Sequence, residues 1–241
     1  MLMKPSHYVT LGSVLAACVV GYIFWRQGHS TPVTEAYNPV IDASNFVPQI
    51  NNKYFTLIPG TRFTYGDAEG TLRIEVTVTN EKKKLRGVTT SGVRVREWRK
   101  GLLKEDSTDW YAQDKVGNVW YFGEAVNNYT DGKLVHHKGS WEAGVDGAKP
   151  GIIMPADPKV GESYRQEYYP ARAEDMGTVI ATGRKVTVPY GTLENCIQVQ
   201  DSTPLESRRE YKYYCLDIAF LALEKLVGFG PEAELVSITR P

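Results

Sequence analysis

The sequence predicts an all-β fold: a single, mostly antiparallel curved sheet or open barrel, preceded by an N-terminal membrane-anchor helix. Three observations predict it. Apolar and polar residues alternate in short runs, so that each run buries one face and wets the other. Turn signals separate the runs at short intervals. The composition agrees, because 15 Tyr and 22 Gly, with recurrent Val and Thr, favour strands and turns over helices. Many strands with short connections and no long helical period argue for a curved sheet or barrel.

The first element is the N-terminal stretch. Residues 8–25 carry no formal charge and lie between Lys4 and Arg26. Such a stretch suits a short transmembrane helix and exceeds the usual core of a secretory signal. Residues 1–26 are therefore read as a signal anchor or a signal peptide. Within them, Leu15-Ala16-Ala17-Cys18 resembles a bacterial lipobox, whose cysteine, here Cys18, is acylated. The run from Val19 to Trp25 stays apolar, whereas lipoproteins usually turn polar after the cysteine. A retained anchor, a lipoprotein and a cleaved signal remain open, and all three export the rest of the chain. Residues 27–52, with Pro32, Pro39 and Pro48 among many Asn, Ser and Thr, read as a linker holding the domain off the bilayer.

Residues 53–241 form the β domain. Leu72, Ile74, Val76 and Val78 alternate with Arg73, Glu75, Thr77 and Thr79, a half-buried strand. In the next strand Val93, Val95 and Glu97 share one face, and Arg94, Arg96 and Trp98 the other. Residues 109–123 make the best-defined hairpin, with Gly117 at the left-handed position of a three-residue loop. If Asp114 faces Asn118, Tyr111 faces Tyr121 and Trp110 faces Phe122. Trp110, Trp120 and Phe122 then share one face, and aromatic cross-strand pairs contribute up to about 1 kcal/mol each. A hairpin at Asp131-Gly132 leads into a Gly- and Pro-rich segment, residues 142–158. Strands resume in the last third, with short helices expected near 170–176 and 218–226.

Besides Cys18 there are two cysteines, Cys196 and Cys215. Between them lies the turn signal Asp201-Ser202-Thr203-Pro204-Leu205-Glu206. A hairpin symmetric about Leu205 and Glu206 sets Cys196 opposite Cys215, within disulfide range. Export supplies the oxidising compartment. Two buried thiols are the alternative; without a Cys-x-x-Cys, a redox pair is not indicated.

Residues 54–65, the run Asp109-Trp110-Tyr111-Ala112-Gln113-Asp114 with Gly117-Asn118-Val119-Trp120-Tyr121-Phe122-Gly123-Glu124, and Gly139-Ser140-Trp141-Glu142-Ala143-Gly144-Val145-Asp146-Gly147-Ala148-Lys149-Pro150-Gly151-Ile152 resemble an uncharacterised family of bacterial exported proteins and lipoproteins. The likeness continues through Met154-Pro155-Ala156-Asp157-Pro158, Tyr164-Arg165-Gln166-Glu167-Tyr168, Ala173-Glu174-Asp175 and Tyr211-Lys212-Tyr213-Tyr214, covering most of residues 54–238. It implies an all-β domain of the bacterial cell envelope and no particular activity. The chain departs from the pattern at Cys215-Leu216-Asp217-Ile218-Ala219-Phe220-Leu221, where relatives carry a Gly/Pro turn, so a differently shaped last hairpin is expected.

Charge is balanced at 28 basic and 28 acidic residues, which gives no electrostatic case for a nucleic-acid partner. No Gly-x-Ser-x-Gly elbow is present. His136 and His137 are neighbours on a strand and point to opposite faces, so they do not chelate together. Residues 114–118 lack the acids and closing Glu of a calcium loop. Glu142, Asp146, Glu167, Glu174 and Asp175 lie near Trp141, Tyr164 and Tyr168 in the irregular middle of the domain. Converging there, they would hold a divalent cation or serve as acid and base; otherwise they are solvated surface acids. Trp110, Trp120, Phe122 and Trp141 are candidates to line an apolar site, with ordinary core as the alternative. The expected function is a non-enzymatic envelope protein, tethered to a membrane by its N-terminus, binding a lipid or other apolar ligand, or an envelope protein, in its curved sheet. A metal-dependent or acid/base hydrolase and a structural module without ligand are the alternatives.

Overall fold

Alternation in the sequence becomes alternation in space. Residues 37–229 and 231–241 are described by the structure, a computed structural model. The expected membrane anchor and Cys18 lie outside the described residues. A 3-10 turn at Ala43–Asn45 is the only helical element among the described residues, and no helix there is long and apolar enough to cross a membrane. The chain opens with β1 (Phe46–Val47), β2 (Ile50–Asn52) and β3 (Phe55–Leu57). A long meander follows: β4 (Arg62–Gly66), β5 (Leu72–Leu85), β6 (Val88–Arg99), β7 (Leu102–Asp114) and β8 (Val119–Thr130). Short strands come next: β9 (Lys133–His136), β10 (Trp141–Glu142), β11 (Lys149–Met154), β12 (Ser163–Arg165) and β13 (Glu167–Tyr168). A second meander ends the chain: β14 (Met176–Val188), β15 (Gly191–Ser202), β16 (Arg209–Cys215), β17 (Phe220–Leu226) and β18 (Pro231–Thr239).

The main sheet runs β12-β14-β15-β16-β17-β18-β4-β5-β6-β7-β8-β11-β13, and every pair along it is antiparallel. Its two ends, β12 and β13, are successive pieces of chain joined by Gln166. The sheet therefore curves until it is nearly closed, which protects its edges from pairing with other chains. The seam is tight. A Cβ on Gly151 of β11 would stand 2.4 Å from the Gln166 carbonyl group, so only glycine permits this approach.

One end of the curved sheet is filled by aromatic side chains. Phe55 of the β2–β3 hairpin lies 5.3 Å from the Tyr111 ring and 4.9 Å from Phe220, while Phe63 stacks on Phe220 at 4.5 Å. Tyr111 stacks on Tyr121 at 4.9 Å. The hairpin is held in place by Gln113, whose Oε1 accepts from the backbone N–H groups of Asn51 and Asn52 at 2.8 Å. Residues 37–52 run along the barrel: Tyr37 donates its hydroxyl to the Pro150 carbonyl at 2.8 Å, and β1 pairs with the end of β7.

The β15–β16 register follows the symmetric turn, from Cys196↔Cys215 to Ser202↔Arg209, and the two cysteines form a disulfide. Three local expectations are corrected. Tyr111 does face Tyr121, but Trp110 faces Gly123 rather than Phe122, across a bulge. The cause is β10, whose Trp141 carbonyl comes within 2.6 Å of where a Cβ on Gly123 would be; Gly123 has φ 151°. The expected helix at 218–226 is instead β17, because pairing with β16 and β18 overrides local helix propensity. Residues 170–176 form a turn closed by the Tyr169↔Ala173 bridge before β14 begins.

Candidate functional site

At the other end of the barrel the inward positions change from apolar to charged while the alternation continues. On β6 the series Val93, Val95 ends in Glu97; on β7 Glu105, Ser107 and Asp109 precede Tyr111. On β15 Ile197 and Val199 lead to Asp201, and on β16 Glu210 and Lys212 precede Tyr214. Glu124 of β8 and Glu224 of β17 complete the set, and all of these charged side chains are buried. Register sets Glu97 opposite Glu105, Asp109 opposite Glu124, Asp201 opposite Glu210 and Lys212 opposite Glu224.

Buried charge is tolerated only when paired, and the pairs are present. Lys212 Nζ lies 2.6 Å from Asp201 Oδ2, and Gln166 Nε2 donates to Asp201 Oδ1 at 3.1 Å. Arg208 reaches Glu210 at 2.6 Å and Glu232 at 2.7 Å. Arg99 Nε donates to Glu97 at 2.7 Å. Both stacked tyrosines donate to Asp109, Tyr111 at 3.0 Å and Tyr121 at 3.3 Å. Burial still pushes the Asp109 carboxyl up to about 7 against those two hydrogen bonds. Burial, reinforced by Asp175, holds Glu167 well above the usual carboxylate range; burial and the neighbouring Glu210 do the same to Glu224. For Lys212, burial works against the ammonium, but Asp201 and Glu224 outweigh it and keep the group firmly charged.

A cleft of about 500 Å³ opens at the rim of this charged end. Its floor is a row across four strands, in which Arg165 pairs with Met176, Met176 with Ser202, and Ser202 with Arg209. The β15–β16 loop supplies the wall, with Thr203, Glu206, Ser207 and Arg208. Ser202, Thr203, Glu206 and Arg208 also line a small hollow of about 20 Å³ that reaches the buried Asp175, Asp201, Glu210 and Lys212. Arg165 is held by aromatic faces, its guanidinium 4.7 Å from the Tyr168 ring and 5.6 Å from Tyr37. Glu174 stands 3.9 Å from its Nη1, beyond hydrogen-bond range. Arg209 is exposed and makes no ion pair among the described residues.

The residues named from sequence are dispersed. Glu142 pairs with Lys83 at 2.5 Å, Asp146 sits exposed in a turn at φ 49°, and Glu174 accepts from the Ala171 backbone N–H at 2.7 Å. Only Glu167 and Asp175 are buried close enough to influence each other. Phe122 lies 5.5 Å from Phe46 and Trp120 6.3 Å from it, so β1 covers these rings. Trp120 Nε1 donates to Asp114 at 2.8 Å, and Trp110 has the Lys83 ammonium 5.7 Å away. Trp141 packs elsewhere, edge-on to Tyr121 at 5.1 Å.

Three other acids do converge. Carboxylate oxygens of Glu210, Glu224 and Glu232 lie within 4.8 Å of one another. Arg208 already bridges two of them. Sequence reasoning passed over this group and over Arg165, Glu206, Arg208, Arg209 and Lys212. The available signal was a charge at the end of an inward-facing apolar series, as in Val93-x-Val95-x-Glu97 and Ile197-x-Val199-x-Asp201.

Fold and site together define an all-β, nearly closed barrel with a charged interior end and an arginine-lined rim. Comparison with protein-family models, curated proteins and solved structures returns no match.

Proposed function

We propose that this chain is an envelope binding protein, tethered to a membrane through residues 1–26, whose barrel rim takes a small carboxylate-bearing solute. The observation that carries the reading is the row Arg165–Met176–Ser202–Arg209 in a cleft of about 500 Å³. Pockets for small ligands fall in this size range. Arginine forks suit planar carboxylates, and Arg209 makes no ion pair among the described residues. Glu206 on the same cleft disfavours a dianion. The apolar-ligand expectation has less support, because Trp120 and Phe122 pack against β1, Trp141 packs against the Tyr121 ring, and Trp110 faces the Lys83 ammonium. The Cys196–Cys215 bridge is in keeping with an oxidising compartment, as is the motif resemblance to exported proteins.

A second reading is a hard cation at Glu210, Glu224 and Glu232, favoured by their mutual approach within 4.8 Å and opposed by the Arg208 guanidinium.

Isothermal titration calorimetry on the full chain in detergent tests the first reading. Small carboxylates should bind, their uncharged amides should bind at least tenfold more weakly, and Arg209→Ala should weaken the carboxylates alone. Equal binding of acids and amides contradicts it. Native mass spectrometry with and without chelator addresses the second: a chelator-sensitive extra mass supports a cation.

A further inference from the structure

The charges around the rim cleft do not cancel within the protein. Arg208 lines the cleft, but its guanidinium is committed to Glu210 and Glu232. Two lining side chains of opposite sign are left without an ion pair among the described residues, Arg209 and Glu206. Arg165 adds a positive charge on the opposite side of the floor, its plane faced by Tyr37 and Tyr168.

A simple carboxylate entering this space would satisfy Arg209 and strip water from Glu206. Burial already disfavours the ionised Glu206; Arg208 eases this and Glu210 worsens it. Desolvating an unpaired carboxylate further is costly. A ligand that brings its own cation removes the difficulty. The adjoining hollow shows that these surroundings accept an ammonium, since Lys212 Nζ sits there 2.6 Å from Asp201. The cation would be a primary ammonium, not a quaternary one. Quaternary groups are recognised by aromatic rings, and none lines the cleft, whereas the Ser202 and Thr203 hydroxyls beside Glu206 can accept the hydrogens of an ammonium.

We infer that the cleft is built for a zwitterion, a short peptide whose terminal carboxylate lies on Arg209 and whose amino terminus lies on Glu206. This rests on the carboxylate reading above and adds the requirement for an ammonium. A cleft of about 500 Å³ has room for more than one residue.

The test is calorimetry on the full chain in detergent with three probes: dialanine, N-acetyl-dialanine and dialanine amide. Dialanine should bind at least tenfold more tightly than either blocked form. Glu206→Gln should abolish the difference between dialanine and N-acetyl-dialanine, weakening dialanine while N-acetyl-dialanine binds as tightly as before or more tightly. If the acetylated probe binds as tightly as dialanine, the ammonium requirement is wrong while the carboxylate reading survives. If the amide binds as tightly as dialanine, or no probe binds, both fail. The wild-type probe series decides the matter even if Glu206→Gln disturbs the loop, which a thermal melt of the variant would reveal.

Discussion

Replacing Lys212 by methionine removes the cation that the buried acids of the barrel end depend on. Lys212 is 3% exposed, and its ammonium lies 2.6 Å from Asp201. Glu224 stands opposite it in register, and Glu210 is two residues before it on β16. Methionine keeps most of the volume, so the packing loss is small. What remains is an uncompensated Asp201 among acids, and breaking a buried pair in this way costs roughly 3–5 kcal/mol. For a domain of this size that is a fall in Tm of about 6–20 °C. The loss also carries a pH signature. Without Lys212 the surrounding acids take up protons more readily in the folded state, so the deficit should shrink as pH falls from 8 towards 4. Urea denaturation followed by tryptophan fluorescence, at several pH values and with the disulfide intact, measures both effects. A loss below about 1 kcal/mol, or a loss independent of pH, would refute the claim that Lys212 neutralises the buried layer.

Further consequences follow from the same geometry. The folded Asp109 carboxyl titrates at about 7, above its unfolded value near 4, so the native state binds the extra proton. Its contribution is fully present below about pH 4 and is lost as pH rises through about 7, on the order of 4 kcal/mol; Asp109→Asn should flatten the stability profile across that window. Reducing the Cys196–Cys215 bridge, or replacing both cysteines by serine, should lower stability by about 3 kcal/mol, as expected for a loop closed by residues 19 apart. Gly151→Ala should cost at least 3 kcal/mol by forcing open the seam at Gln166, visible as a lower urea midpoint, whereas Gly132→Ala, at an open turn, should cost only its backbone strain of about 1 kcal/mol.

Local pattern carried the parts of the fold that local pattern controls. The β5 alternation and the β15–β16 register were readable because period-2 alternation and a symmetric turn determine them. The bulge at Gly123 was not, because it answers to Trp141, a residue from another hairpin. Residues 218–226 have helix-forming composition, and only their position between β16 and β18 makes them a strand. The rim cleft was the least legible feature. Its floor joins Arg165, Met176, Ser202 and Arg209, which become neighbours only through three successive strand pairings, β12–β14, β14–β15 and β15–β16. The charged interior was half visible: Glu97 falls on the same face as Val93 and Val95, but one glutamate at the end of an apolar series gains meaning only when Glu105 stands opposite.

The most direct measurement is NMR of the arginine side chains, with the full chain labelled in its guanidinium nitrogens and titrated with dialanine. The Nε–H signal of Arg209 should shift and saturate, while Arg94, which pairs with Asp106 at 2.5 Å on another part of the barrel, should stay in place. Saturable shifts at Arg94 or at no arginine, with Arg209 unmoved, would contradict the carboxylate-binding rim.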